Sequence, residues 1–226
     1  DVGLIINNTN SSVNQSFVFG GQSYDLILPD GPYFRFEASA ASLTLSNNVI
    51  LKADISFEEV TSLGADNLPG GTGENLDNKV VRLGMVNVSA ELSEGLLTLE
   101  KGSGFFLVTK EGTAGRIGGD ISLNVDGVSL EGDLQFELNE TTKEVDETIK
   151  IGSATLGLKL DDKQGFRVTG ENMTLLAGGL SLKTDISISE TLFGEEKALK
   201  VEVTDLSIGM GGTADNPIIG AEISTA

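Results

Sequence analysis

One stretch of this chain is written twice, 132 residues apart, and that duplication limits the architecture more than any other feature of the sequence. Ile6-Asn7-Asn8-Thr9, followed by Val13, Phe17, Phe19 and Gly20, aligns with Leu138-Asn139-Glu140-Thr141, followed by Val145, Ile149, Ile151 and Gly152. The match continues through Leu26 and Leu28 with Leu158 and Leu160, and through Phe34-Arg35-Phe36 with Phe166-Arg167-Val168. After a one-residue deletion the offset becomes 131, and Leu51-Lys52-Ala53-Asp54-Ile55-Ser56-Phe57 lines up with Leu182-Lys183-Thr184-Asp185-Ile186-Ser187-Ile188. A third version, Leu130-Glu131-Gly132-Asp133-Leu134-Gln135-Phe136, stands between them, so each long unit is itself built from similar hairpins. The division expected is 1–125, a first unit with strands of a preceding one, and 126–226, a second and partial unit. Units that cannot cover their own end strands bury them against neighbours, so the expected parent chain is much longer than these 226 residues.

Within the repeat, apolar residues alternate with period two. Phe34 and Phe36 flank Arg35, Leu51 to Phe57 alternate with Lys52, Asp54 and Ser56, and Leu199, Val201 and Val203 flank Lys200 and Glu202. This is the pattern of strands with apolar residues inward and polar residues outward. Ser46-Asn47-Asn48, Asp126-Gly127 and Ala177-Gly178-Gly179 supply turn chemistry between such runs, and no segment carries a capped helical stripe. The expected fold is therefore all-β: an elongated, antiparallel tandem-repeat architecture, either a β-solenoid or roll or a series of sandwich modules.

Charge and missing residue types remove several functions. With 15 Lys+Arg against 34 Asp+Glu the net charge is −19, which repels nucleic-acid phosphate and anionic lipid headgroups. No apolar run of spanning length occurs, and Asp1-Val2-Gly3 opens the sequence without a basic region, so neither membrane insertion nor a signal peptide is expected. There is no cysteine, hence no disulfide or thiolate chemistry, and no histidine, the commonest general base and transition-metal ligand. That double absence argues against an enzyme.

A run of linked signatures resembles the long β-repeat of giant bacterial surface and secreted proteins of the adhesin type. Gly102-Ser103-Gly104, Gly112-Thr113-Ala114-Gly115 and Leu123-Asn124-Val125-Asp126-Gly127-Val128 follow the order of that repeat, as do Asn139-Glu140-Thr141 and Val145-Asp146-Glu147-Thr148-Ile149. Val18-Phe19-Gly20-Gly21-Gln22 and Leu28-Pro29-Asp30-Gly31-Pro32-Tyr33-Phe34-Arg35 are similar to two further segments, and the likeness covers Val13 to about Met210. The second copy departs from it, with Asp161-Asp162-Lys163-Gln164 in place of the proline turn. The resemblance implies extracellular or cell-surface display and brings no catalytic residues with it.

Candidate sites are few. Gly70-Gly71-Thr72-Gly73-Glu74-Asn75-Leu76-Asp77-Asn78 is similar to one calcium-binding nonapeptide, and Asp66, Glu74, Asn75 and Asp77 would supply its oxygen ligands. A solvated loop explains the same residues, because the motif acts in tandem copies and stands here once. Turn chemistry alone accounts for Gly211-Gly212-Thr213-Ala214-Asp215-Asn216. The carboxylate pairs Glu58-Glu59, Asp161-Asp162 and Glu195-Glu196 invite a carbohydrate-active reading, but adjacent strand residues face opposite sides and cannot flank one sugar. Ser103 lacks a base, and its flanking glycines read as a tight turn. Arg35 and Arg167 recur at equivalent positions, suited to forking onto a carboxylate of an adjacent strand. Asn10-Ser11-Ser12, Asn87-Val88-Ser89 and Asn139-Glu140-Thr141 are glycosylation sequons by pattern, and in so Asn/Ser/Thr-rich a chain most read as chance.

The reading is a non-enzymatic extracellular spacer or display scaffold that needs no cofactor, calcium being the one ion its loop could take. Its partners are neighbouring repeats or like subunits, and a cell-surface or glycan receptor. The alternative is a self-assembling filament or sheath joined by strand augmentation at Val2-Gly3-Leu4-Ile5-Ile6.

Overall fold

The computed structural model describes residues 1–44, 49–62, 78–92, 96–141, 143–162, 165–193, 196–213 and 216–223. Fifteen strands run through them: β1 (Val2–Asn7), β2 (Val13–Phe19), β3 (Gln22–Leu28), β4 (Tyr33–Thr44), β5 (Val49–Ser62), β6 (Asn78–Leu92), β7 (Leu97–Thr109), β8 (Gly112–Val125), β9 (Val128–Asn139), β10 (Val145–Ile151), β11 (Ala154–Leu160), β12 (Gly165–Ala177), β13 (Leu180–Phe193), β14 (Glu196–Thr213) and β15 (Asn216–Ile223). No helix occurs among the described residues. Eleven strands form one antiparallel sheet in the order β1-β4-β5-β6-β7-β8-β9-β12-β13-β14-β15; β2–β3 and β10–β11 are separate two-stranded hairpins.

Strand bounds follow the sequence offset. β2 and β3 recur 132 residues on as β10 and β11, β4 and β12 begin 132 apart, and β5 recurs 131 on as β13. The turn between β8 and β9 is Asp126-Gly127 and that between β12 and β13 is Gly178-Gly179, with positive φ at Gly127 (80°), Gly178 (56°) and Gly179 (83°), as tight antiparallel hairpins require.

The period-two pattern gives the sheet two unlike faces. Gly84, Arg82, Phe105, Leu107 and Ala114 point toward β10–β11. The alternate residues form cross-strand apolar rows on the other face: Leu4 opposite Phe36, Phe36 opposite Phe57, Phe57 opposite Leu83 and Leu83 opposite Phe106 in one, and Ile117, Phe136, Val168, Ile188 and Val201 in the row beside it. Phe34 meets Phe57 edge-on at 6.0 Å between ring centroids. The inward orientation expected of Leu199, Val201 and Val203 is corrected here, since they lie on the open face, 64%, 59% and 48% exposed. Alternation puts these residues on a common side and leaves unstated which side is covered.

A line of bulges crosses the sheet. Ala40, Asn87, Lys101, Asn172 and Asp205 all have φ between 51° and 53°, and the pairing register slips beside them. Aspartates from the thrice-written pattern hold this line. Asp54 accepts from the Ala40 amide and from Asn87 Nδ2, both at 2.6 Å, and Asp185 accepts from the Asn172 amide at 2.7 Å. The Ala40 and Asn87 donors hold the Asp54 carboxyl below its ordinary pKa. Asp133 accepts from Asn172 Nδ2 at 3.3 Å.

The principal core lies between the sheet and β10–β11. Val145, Ile149, Leu158 and Leu160 of the hairpin bury against Phe105, Leu107 and Ala114, with Val80 and Leu156 at its margin. The hairpin leaves the sheet between β9 and β12 yet lies over β5 to β8, the strands that precede it. Burial of its apolar face removes oily surface from water and is the main favourable contribution at this contact.

Candidate interaction site

The seat of β10–β11 is built by residues of five sheet strands. Three arginines grip the hairpin from below: Arg35 of β4 donates to the Lys150 carbonyl, Arg82 of β6 to Glu147 Oε2 at 2.8 Å, and Arg116 of β8 to the Lys159 carbonyl at 3.1 Å. Gly84 makes the approach close, because a Cβ there would sit 2.6 Å from Ile151 Cδ1 and 2.8 Å from Ile149 Cγ2. Beside it Tyr33 donates to Glu58 at 2.6 Å, and Glu58 also faces Arg82 at 3.5 Å. Burial and the bond to Glu58 push the Tyr33 phenol from 10.0 up to about 12.

At the base of the hairpin, Asn139 acts as a knot. Its Nδ2 donates to the Asp161 and Lys143 carbonyls at 2.6 and 3.2 Å, and its Oδ1 accepts from the Thr141 amide and hydroxyl at 3.0 and 2.7 Å. Asn7 ties β2–β3 in the same way, with Nδ2 to Pro29 and Ser11 carbonyls at 2.6 and 2.9 Å and Oδ1 accepting from Thr9. Asn139-Glu140-Thr141 is thus a structural Asx turn rather than a modification site: the Asn139 side chain is 4% exposed and both its polar atoms are bonded.

A counterpart of this seat lies open farther along the sheet. A cleft of about 770 Å³ runs along β11 above β12, β13 and β14, lined by Arg116, Glu137, Lys159, Arg167, Ser187, Ser189, Lys200 and Glu202. Its floor matches the covered one pair by pair. Ser187 opposite Glu202 stands where Ser56 is opposite Gly84, and Ser189 opposite Lys200 stands where Glu58 is opposite Arg82. Ser56 is fully buried under the hairpin, while Lys200 and Glu202 are half exposed and pair with each other at 2.6 Å.

Of the residues singled out from sequence, Asp66, Glu74, Asn75 and Asp77 lie outside the described residues, as does the 214–215 part of the later glycine loop. Among the described residues no cluster of three or more acidic side chains is placed to hold a metal ion. Glu58 and Glu59 face opposite sides of β5, Glu58 to Arg82 and Glu59 to Lys79 at 2.8 Å. Gly102-Ser103-Gly104 is a mid-strand segment of β7 rather than a turn; a Cβ at Gly102 would meet Val88 Cβ at 2.9 Å, so close strand approach accounts for that glycine. Arg35 pairs with Glu37 on its own strand, whereas Arg167 faces Glu137 of neighbouring β9 at 3.8 Å. Sequence reasoning missed Gly84, Arg82, Tyr33 and Glu147. A lone glycine in the apolar run of β6 was the available signal for the first.

No protein-family model, no curated protein and no solved structure matches this chain. No helix among the described residues is long and apolar enough to cross a membrane.

Proposed function

We propose that this chain is a structural segment of an extracellular bacterial surface protein, a spacer or display scaffold whose successive units interlock through hairpins. The observation that carries this reading is the backward reach of β10–β11: a hairpin rooted beyond β9 binds β5 to β8, joining neighbouring stretches of one sheet by a contact that is not local in sequence. Surface display follows from the adhesin-type resemblance, and the acidic charge of −19 suits an exposed, soluble array.

The alternative is a filament in which β1, the end strand of the described sheet, pairs with a strand of another chain. Small-angle X-ray scattering with negative-stain electron microscopy tests the reading. A spacer gives a monomer whose radius of gyration exceeds the roughly 17 Å of a compact domain this long. Regular fibres favour the filament, and a compact particle near that value defeats both. Repeating the measurement with a calcium chelator tests the segment that carries Asp66 and Asp77.

A further inference from the structure

We propose that the exposed apolar face of β2–β3 is a docking face, and that its occupant is the strand floor of another unit of this kind, laid beneath it as β5 to β8 lie beneath β10–β11. The inference rests on the scaffold reading above and adds to it the identity of the contact. Both hairpins have one register: Val13 opposite Leu28 and Phe17 opposite Tyr24 repeat Val145 opposite Leu160 and Ile149 opposite Leu156. Both spring from the same asparagine knot. Yet Phe17, Phe19 and Leu26 are 52%, 75% and 42% exposed, where Ile149, Ile151 and Leu158 are 3%, 5% and 1%. Phe17 and Tyr24 stack at 5.7 Å and present a ready apolar surface to whatever lies below. Exposed side chains of this size on one side of a small hairpin mark a contact surface.

The chemistry of the occupant follows from the filled seat. It is an antiparallel floor with a glycine or other small residue at the Gly84 position, apolar side chains in the places of Phe105 and Leu107, and an arginine within reach of Gln15, which stands where Glu147 stands in the other hairpin. A second copy of this chain does not offer it. Its β5 to β8 floor is already covered by its own β10–β11, and its open β13–β14 floor carries Glu202 in the place of Gly84, so docking would press aromatic rings onto a carboxylate and strip its water. β10–β11 lies back over strands preceding β9, and the same placement would carry β2–β3 past β1, the end strand of the described sheet, which pairs with β4.

The test is a lengthened chain in which a second copy of residues 1–132 precedes Asp1, so that Gly132 runs into Asp1 as it natively runs into Asp133. Hydrogen exchange is read at β1 and β2–β3 of the original copy. The expected result is slowing of both by about a hundredfold relative to the 226-residue chain, with Phe17→Asp returning only β2–β3 to its former rate. If β1 slows and β2–β3 does not, the sheet has continued and the docking face is idle: the inference fails while the scaffold reading stands. If neither slows, both fail. A second variant does not depend on the added unit folding. Residues 13–28, with Phe17 and Phe19 kept, replace residues 145–160. The transplanted hairpin should exchange within about tenfold of native β10–β11; exchange as fast as in β2–β3 overturns the inference.

Discussion

Hairpins β2–β3 and β10–β11 share length, register, a turn glycine and an asparagine knot, yet one is exposed along its apolar face beyond the half-buried Val13 and Leu28 and the other supplies half of the core. Their difference teaches that burial in this architecture belongs to the floor rather than to the hairpin. Two closely related strand pairs take opposite surroundings because β5 to β8 stand beneath only one of them. The sharpest way to break the comparison is truncation at one matched position in each. Leu158→Ala empties a site that is 1% exposed and should destabilise the chain by about 3 kcal/mol in urea unfolding. Leu26→Ala, at the equivalent place and 42% exposed, should cost under about 0.5 kcal/mol. Equal losses would mean that β2–β3 is already packed in solution.

The floor is tested next. Gly84→Ala places a methyl group within 2.6 Å of Ile151, and the hairpin must lift or the strand must shift, for a loss of about 2 kcal/mol. Combining it with Ile151→Val should recover part of that loss, which a purely conformational effect of alanine would not allow. Glu202→Ala, at the matching place of the open floor, should leave unfolding within about 0.5 kcal/mol of the parent.

Much of this was legible before any coordinates. The duplicated Asn-x-Thr and Leu-x-x-Asp segments placed β2 with β10 and β5 with β13, and Asp126-Gly127 and Gly178-Gly179 announced their turns, because turn and strand chemistry are local. Sidedness was not legible. Period-two alternation groups Leu199 with Val201 and Val203, but whether that group is covered depends on a hairpin arriving from a distant part of the chain. The seat failed to announce itself for the same reason: Arg35, Arg82 and Arg116 come from three strands and acquire a common role only when β10–β11 lies across them. Asn139 shows why a sequon by itself says little: the three residues that spell one, read from sequence as chance, spell an Asx turn.

Smaller effects sharpen the comparison at the base of each hairpin. Asn139→Ala breaks four hydrogen bonds around a buried amide and should cost about 2 kcal/mol, while loosening β10–β11 in hydrogen exchange. Asn7→Ala breaks the equivalent bonds under a hairpin with little packing to lose, and should cost about half as much. If the asparagines prove equal, the knot matters through its own bonds; if Asn139 matters more, it acts by holding the docked hairpin in place.

The smallest effect separates the two floors by pH. Tyr33 and Glu58 exist only in the covered one, because Gly165 opens β12 where Tyr33 opens β4, and Ser189 stands where Glu58 stands. Burial, followed by the bond to Glu58, raises the Tyr33 phenol from 10.0 to about 12, so the fold favours the neutral hydroxyl. A group with a raised folded pKa stabilises fully below its unfolded value and stops doing so as pH climbs through the folded one, so this contribution is present below pH 10 and is lost toward pH 12. In a Tyr24→Phe background, absorbance titration should show the remaining tyrosine ionising near pH 12, and unfolding midpoints should fall across the same window. Tyr33→Phe should cost about 1 kcal/mol at neutral pH and flatten that alkaline slope. Ionisation near pH 10 would instead mean that water reaches the phenol, and that β10–β11 stands off its floor in solution as β2–β3 stands free of one.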